Sequence, residues 1–168
     1  ERSLEERLAE VDALLAAEGS DRVRLDQRFE EARARLRAFS GVKALAPPDG
    51  FRGELRGYQQ EGLGWLEFLR DFGFGGCLAD DMGLGKTIQI LAMLEMRRNR
   101  PTSTNAARTP SLIVVPKSLV FNWIEEAARF TPALRFLNYT GIERRERKEQ
   151  IDSVDVVVTT YGTLRQDI

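Results

Sequence analysis

The sequence predicts an α/β fold: a mostly parallel sheet with flanking helices, preceded by an N-terminal helical hairpin. Three observations carry that prediction. From Leu55 onward, helical and strand-like apolar patterns alternate, which calls for crossover connections between parallel strands. The runs Leu112-Ile113-Val114-Val115 and Val156-Val157-Val158 are apolar at every position, as strands buried on both faces are. Between a short apolar run and a helical one stands Ala79-Asp80-Asp81-Met82-Gly83-Leu84-Gly85-Lys86-Thr87, a glycine-hinged turn of the phosphate-binding kind.

Taken in order, residues 1–41 read as the hairpin. Leu4, Leu8, Val11 and Leu15, then Leu25, Phe29, Ala32, Leu36 and Phe39, alternate steps of four and three, the spacing of two amphipathic helices. Ser3 and Glu6 fit a capping box at the first start, and Gly19-Ser20 breaks the pattern between the two. Their many Arg and Glu residues read as a solvated face. Residues 42–54 contain Pro47-Pro48, Gly50 and Gly53, which cannot continue a helix, and form a linker in this reading.

The lobe over residues 55–168 starts with a helix around Gln59 to Asp71 and a small-and-apolar strand at Cys77 to Ala79. A helix follows from Lys86 to about Arg97, apolar at Ile88, Leu91 and Leu94. Next come a strand at Leu112 to Val115, a helix from Ser118 to Phe130 and a strand near Arg135 to Asn138. A charged helix near Glu143 to Ile151 and a strand at Asp155 to Thr160 complete the series. Arg100 to Pro110, rich in Ser, Thr, Asn and Pro, reads as a loop.

Composition bounds the function. At 168 residues and 42% hydrophobic, the chain supports one core with an appendage. Its 25 basic and 26 acidic side chains leave a net charge of -1, so a nucleic-acid reading has to rest on local motifs. With no histidine and one cysteine, a zinc site, an internal disulfide and a histidine-based triad are excluded by inventory. Cys77 is expected as a small buried residue. No apolar run approaches a membrane span and no basic, apolar leader opens the chain, so no membrane partner is expected. The chain reads as intracellular: cytoplasmic or nucleoid-associated if bacterial, nuclear if eukaryotic. Its start at Glu1, without methionine, reads as an excised piece of something longer.

The glycine turn carries the chemistry. Gly83 and Gly85 let the backbone curl so that successive N–H groups face an anion, and the following helix adds the positive end of its dipole. Lys86 brings a mobile cation to the phosphates and is the expected catalytic residue; the Thr87 hydroxyl is placed to bind Mg²⁺. The loop residues Asp80 to Thr87 are the expected phosphate contacts, to ATP if the resemblance drawn below holds. In the generic pattern G-x-x-x-x-G-K-[ST], Asp80 fills the first glycine position.

Three further segments stand in order around the loop. They are Leu55-Arg56-Gly57-Tyr58-Gln59-Gln60-Glu61-Gly62-Leu63-Gly64-Trp65-Leu66, Val114-Val115-Pro116-Lys117-Ser118-Leu119-Val120-Phe121-Asn122-Trp123, and Val158-Thr159-Thr160-Tyr161-Gly162-Thr163-Leu164. Together with the loop, the ordered set resembles the Swi/Snf-type DNA-translocating ATPases of helicase superfamily 2, from about Leu55 to the end. Asp81 stands where that family usually has Glu. The resemblance implies the first RecA-like lobe of an enzyme that uses ATP and Mg²⁺ to move along double-stranded DNA. It implies that Gln59 reads the adenine edge, and that Pro116, Lys117, Ser118, Thr160 and Tyr161 touch the DNA backbone. Without the resemblance, Gln59 is a polar residue on a helix, and the other two segments are ordinary strand-to-helix connections. Tyr58, Leu63, Trp65 and Leu66 are assigned to core packing, Asn122 and Trp123 to holding a helix on the sheet.

Phosphate-loop hydrolysis also needs a carboxylate at a strand end for Mg²⁺ and usually an arginine from a facing element. Leu112 to Val115 runs into Pro-Lys-Ser and Val156 to Val158 into Thr-Thr-Tyr, Asp155 sits at the wrong end of its strand, and Asp80-Asp81 belongs to the loop itself. In the resembling family the acidic box would lie just beyond Ile168, and a second RecA-like lobe would carry the arginine. The 168 residues alone are therefore expected to be catalytically incomplete. The alternative function is a nucleotide-dependent scaffold that binds ATP without hydrolysis and controls a partner engaged by the hairpin.

Overall fold

A computed structural model describes residues 41–100 and 109–167, with the isolated helical residues Ala13, Ala34, Leu36 and Arg37. The hairpin expected over residues 1–41 lies outside these residues, as does most of the loop expected over 100–110. From Val42 on, the chain forms one compact unit.

Its elements are α1 (Gly57–Phe72), α2 (Lys86–Asn99), β1 (Ser111–Val114), a 3-10 turn (Lys117–Leu119), α3 (Val120–Phe130), β2 (Phe136–Asn138), a 3-10 segment (Ile142–Ser153), β3 (Val156–Thr159) and α4 (Tyr161–Asp167). The three strands lie in the order β1-β3-β2, and both pairings are parallel. Central β3 is buried at all four positions, which is why its sequence is Val-Val-Val-Thr. On one face, Val156 and Val158 pack with Leu94, Val115, Val120 and Leu134, flanked by Ile90, Met93, Trp123 and Ile124. Helices α2 and α3 therefore share one side of the sheet.

A second cluster of Leu55, Leu63 and Ala92, flanked by Leu45, Phe51, Ile88 and Met96, joins α1 to α2. The expected linker, residues 42–54, carries no helix or strand and runs along the lobe as a strap. Leu45 N donates to Gln60 O (3.0 Å) and Arg52 N to Phe130 O (2.7 Å). The Phe51 ring stacks on Phe130 with centroids 6.1 Å apart. Gly64 of α1 lies against the Lys43 carbonyl, where a Cβ would have no room.

Several expectations need correction. Cys77 to Ala79 forms no strand, and Cys77 is exposed rather than buried. With Cys77 and Ala79 small, Leu78 alone offers too little side-chain area to hold the segment on the sheet, and among the described residues no strand pairs with it. Edge strand β1 is not buried on both faces: Leu112 is 54% exposed. The charged helix is 3-10 throughout, because Ile142 is 93% exposed and the segment has no apolar stripe to pack. Tyr58 is exposed and bonds to the phosphate loop instead of the core, and Asn122 is exposed beside a half-buried Trp123.

Several arginines of the lobe are tied down. Arg97 donates to Thr109 O (2.8 Å), Arg98 pairs with Glu95, Arg100 with Glu67, Arg144 with Asp167, and Arg147 donates to Asn138 O. Burial pushes the Glu67 carboxyl above the ordinary value, with the Arg70 guanidinium opposing and Asp71 adding to the rise.

Asp155, just before β3, accepts from Arg135 N (2.9 Å) and Arg135 Nε (3.2 Å). Burial pushes its carboxyl up, but the Arg135 hydrogen bonds and charge, with Arg98 nearby, bring it below the ordinary value. A depressed carboxyl stabilises the fold above its unfolded-state value and loses that contribution as pH falls through the folded one. Asp155→Asn is thus expected to cost about 1–2 kcal/mol in urea unfolding at pH 7. The gap to wild type should shrink as the pH falls below about 4.

Candidate nucleotide-binding site

The phosphate loop enters α2 through Gly85, whose φ of 78° and ψ of 44° place the N-cap in the left-handed region. Glycine is required there twice over. It adopts that conformation without penalty, and a Cβ would lie 2.6 Å from Gln59 Nε2. Gly83 (φ 88°) supplies the other turn. No side chain caps α2, so its first N–H groups remain available to an anion.

Lys86 Nζ donates to Asp80 O (2.7 Å) and Asp81 O (2.9 Å), which holds the ammonium within the loop. Gln59 and Tyr58 close the loop from α1: Gln59 Nε2 and Tyr58 Oη each donate to Leu84 O at 3.0 Å. Gln59 is buried, with its Oε1 accepting from Arg56 N (2.9 Å) at the helix start. The amide keeps one acceptor lone pair free, so it can still take a donor from an incoming base. An open cleft of about 410 Å³ lies in front, lined by Gln59, Tyr58, Gly83 and Gly85 on one side and by Glu126, Arg129 and Phe130 of α3 on the other. Its volume falls in the usual range for small-ligand sites.

The fit to a magnesium nucleotide rests on that cradle. Lys86 sits between two carbonyl oxygens that phosphate oxygens would replace, and the space beside Gly83 is open. Asp81, Met82 and Leu84 line the turn mainly as backbone, with Met82 98% exposed. Thr87 opens α2 directly after Lys86, where the Mg²⁺ ligand of such loops stands.

The two segments expected to touch DNA lie side by side at the C-terminal edge of the sheet. Val115 N donates to Thr159 O (3.0 Å), so the turn at Pro116, Lys117 and Ser118 leaves next to Thr160 and Tyr161. Pro116 caps the 3-10 turn, and Lys117 and Ser118 are exposed. Thr160 Oγ1 accepts from Thr163 N (3.2 Å), so it caps α4, and Tyr161 is 69% exposed.

The segment from residue 58 to 168 matches the family profile described as the SNF2-related domain. The chain belongs to that family. YwqA of Bacillus subtilis (strain 168) is 42% identical over 121 residues, which are 70% of this chain and 13% of that protein. The TATA-binding protein-associated factor mot1 of Schizosaccharomyces pombe is 38% identical over 138 residues, 77% of this chain and 7% of that one. Among solved structures, the Sulfolobus solfataricus SWI2/SNF2 ATPase core in complex with dsDNA superposes with a TM-score of 0.65 at 38% identity. The match covers 74% of this chain and 25% of that one. The SNF2-related chain thus spans a small part of the relatives it matches, and its lobe has their RecA-like architecture.

Sequence reasoning missed the far wall of the cleft. Glu126, Arg129 and Phe130 stand about seventy positions from Gln59, and α3 is brought close by its packing with α2 and by the strap contacts at Phe51 and Arg52. It also missed Gln89, a fully buried amide in the apolar stretch of α2. The signal for that residue was the polar side chain itself, between Ile88 and Ile90.

Proposed function

We propose that this chain is the ATP-binding part of the first RecA-like lobe of a Swi/Snf-type ATPase that couples ATP hydrolysis to translocation on double-stranded DNA. One observation carries the reading: Gln59 and the positive-φ glycines Gly83 and Gly85 line one cleft, and Lys86, the next residue after Gly85, is held by the carbonyls of the same loop. In the cleft, Gln59 offers the free acceptor lone pair of Oε1 to the adenine edge, and its Nε2, shared by Leu84 O and Tyr58 Oη, turns from Tyr58 Oη to donate to the base. The loop N–H groups and Lys86 take the phosphates, and Thr87 takes Mg²⁺. The bound ion would neutralise charge on the terminal phosphates. Lys86 leaves Asp80 O and Asp81 O for phosphate oxygens, and so exchanges neutral acceptors for charged ones.

The paired turns at Pro116–Ser118 and Thr160–Tyr161 suit a DNA backbone: N–H groups, hydroxyls and Lys117 bind phosphate without reading bases. Family membership and the likeness to an ATPase core solved with dsDNA support that part of the reading. The described strands run into Pro116-Lys117, Tyr139-Thr140 and Thr160-Tyr161, none of which supplies a carboxylate for Mg²⁺. The 168 residues are therefore proposed to bind ATP and turn it over poorly.

Isothermal calorimetry of folded protein with Mg-ATP tests the binding. Saturable heat is the expected result, and heat no greater than dilution would sink the reading. A steady-state assay tests the second point: DNA-stimulated turnover by these residues alone would refute their incompleteness.

A further inference from the structure

Gln89 lies in α2 with no exposed surface, in a stretch where Ile88, Ile90 and Leu91 are apolar. Its Nε2 donates to Asp80 Oδ2 at 2.9 Å. Its Oε1 is buried with no hydrogen-bond partner among the described residues, and rests against Gly62 of α1, where any Cβ would collide with it. Burying an amide with half its capacity unmet is costly, and leucine at this position would avoid the cost. The contact that offsets it is the charge-assisted bond to Asp80.

Asp80 occupies the place where the generic loop has glycine, so a side chain is present there through which the backbone can be held. Its carbonyl is one of the two oxygens that hold Lys86 Nζ. A continuous path therefore runs from α1 through Gly62, Gln89 and the Asp80 carboxylate to the Asp80 carbonyl and Lys86. We infer that Gln89 is a positioning residue for nucleotide binding. Through Asp80 it fixes the first turn of the phosphate loop, and with it the place from which Lys86 reaches a phosphate. The inference rests on the nucleotide reading above and adds a residue and a route to it.

Four variants of the chain, titrated with Mg-ATP by calorimetry and melted by heat, test it. Gln89→Leu removes the amide but fills the same space, so its melting temperature should hold or rise while affinity falls about tenfold, the worth of one charge-assisted hydrogen bond. Gln89→Glu sets two carboxylates against each other and should weaken binding at least as much. Adding Asp80→Asn to Gln89→Glu restores an amide–carboxylate bond with its ends exchanged, and should return affinity to within about threefold of wild type. Asp80→Ala removes a half-exposed carboxylate outside the core, which covers the case in which Gln89→Glu does not fold; a drop of about tenfold is expected there too.

Unchanged affinity in Gln89→Leu or Asp80→Ala overturns the inference. So does a double variant no better than Gln89→Glu, or affinity losses that only follow losses in melting temperature. A wild type that takes up no Mg-ATP is a different failure: it overturns the nucleotide reading itself, and this inference with it.

Discussion

Replacing Lys86 with alanine is expected to weaken Mg-ATP binding about 10- to 150-fold, the equivalent of the 1.5–3 kcal/mol that a charged hydrogen bond contributes. The expectation follows from where the ammonium sits. In the free loop it is shared by two carbonyl oxygens, at 2.7 Å and 2.9 Å, so binding swaps neutral acceptors for phosphate oxygens. The alanine variant loses that exchange while the turn keeps Gly83, Gly85 and the Gln59 bond to Leu84 O. Its melting temperature should therefore move far less than its affinity. Lys86→Arg should not rescue binding, because a planar guanidinium cannot occupy the compact position between Asp80 O and Asp81 O. Titration with a fluorescent ATP analogue decides the matter: equal affinity of wild type and Lys86→Ala would remove Lys86 from the phosphate site.

How far the site was legible in the sequence depended on the range of its contacts. The loop from Asp80 to Thr87 was readable because its function needs residue types at fixed offsets, and the glycines take the positive φ values that those offsets imply. The parallel sheet was readable at β3, where burial on both faces demands an unbroken apolar run. The same logic failed at β1, because Leu112 has the composition of a central strand and the position of an edge. It failed at Cys77 to Ala79 because a strand is a pairing, and apolar character does not say with what. Gln59 could be read only as a polar residue or, by resemblance, as an adenine reader; its bond to Leu84 O depends on how α1 meets the loop. The α3 wall is set by its packing with α2 and by contacts between the strap and Phe130, which no local pattern in these segments announces.

Leu63→Ala is expected to have the largest effect on stability, about 2–5 kcal/mol in urea unfolding. Leu63 is fully buried in the smaller cluster, with Leu55, just after the strap, and Ala92 of α2. Met93 and Met96 border that cluster and can shift into the vacated space, which favours the lower half of the range. The consequence reaches the site because the cluster is what presses α1 onto α2. Gln59 and Tyr58 reach Leu84 O from one helix, and Lys86 begins the other. Loosening their contact should lower nucleotide affinity as well as stability, although no truncated atom touches the cleft. Ligand linkage separates the two effects: at a concentration 100 times its dissociation constant, Mg-ATP should return about 2.7 kcal/mol to either protein. If Leu63→Ala unfolds with wild-type stability, the strap, α1 and α2 are held together by something other than this cluster. If it is destabilised but binds Mg-ATP as tightly as wild type, the packing beneath the loop supports the fold and not the geometry of the cleft.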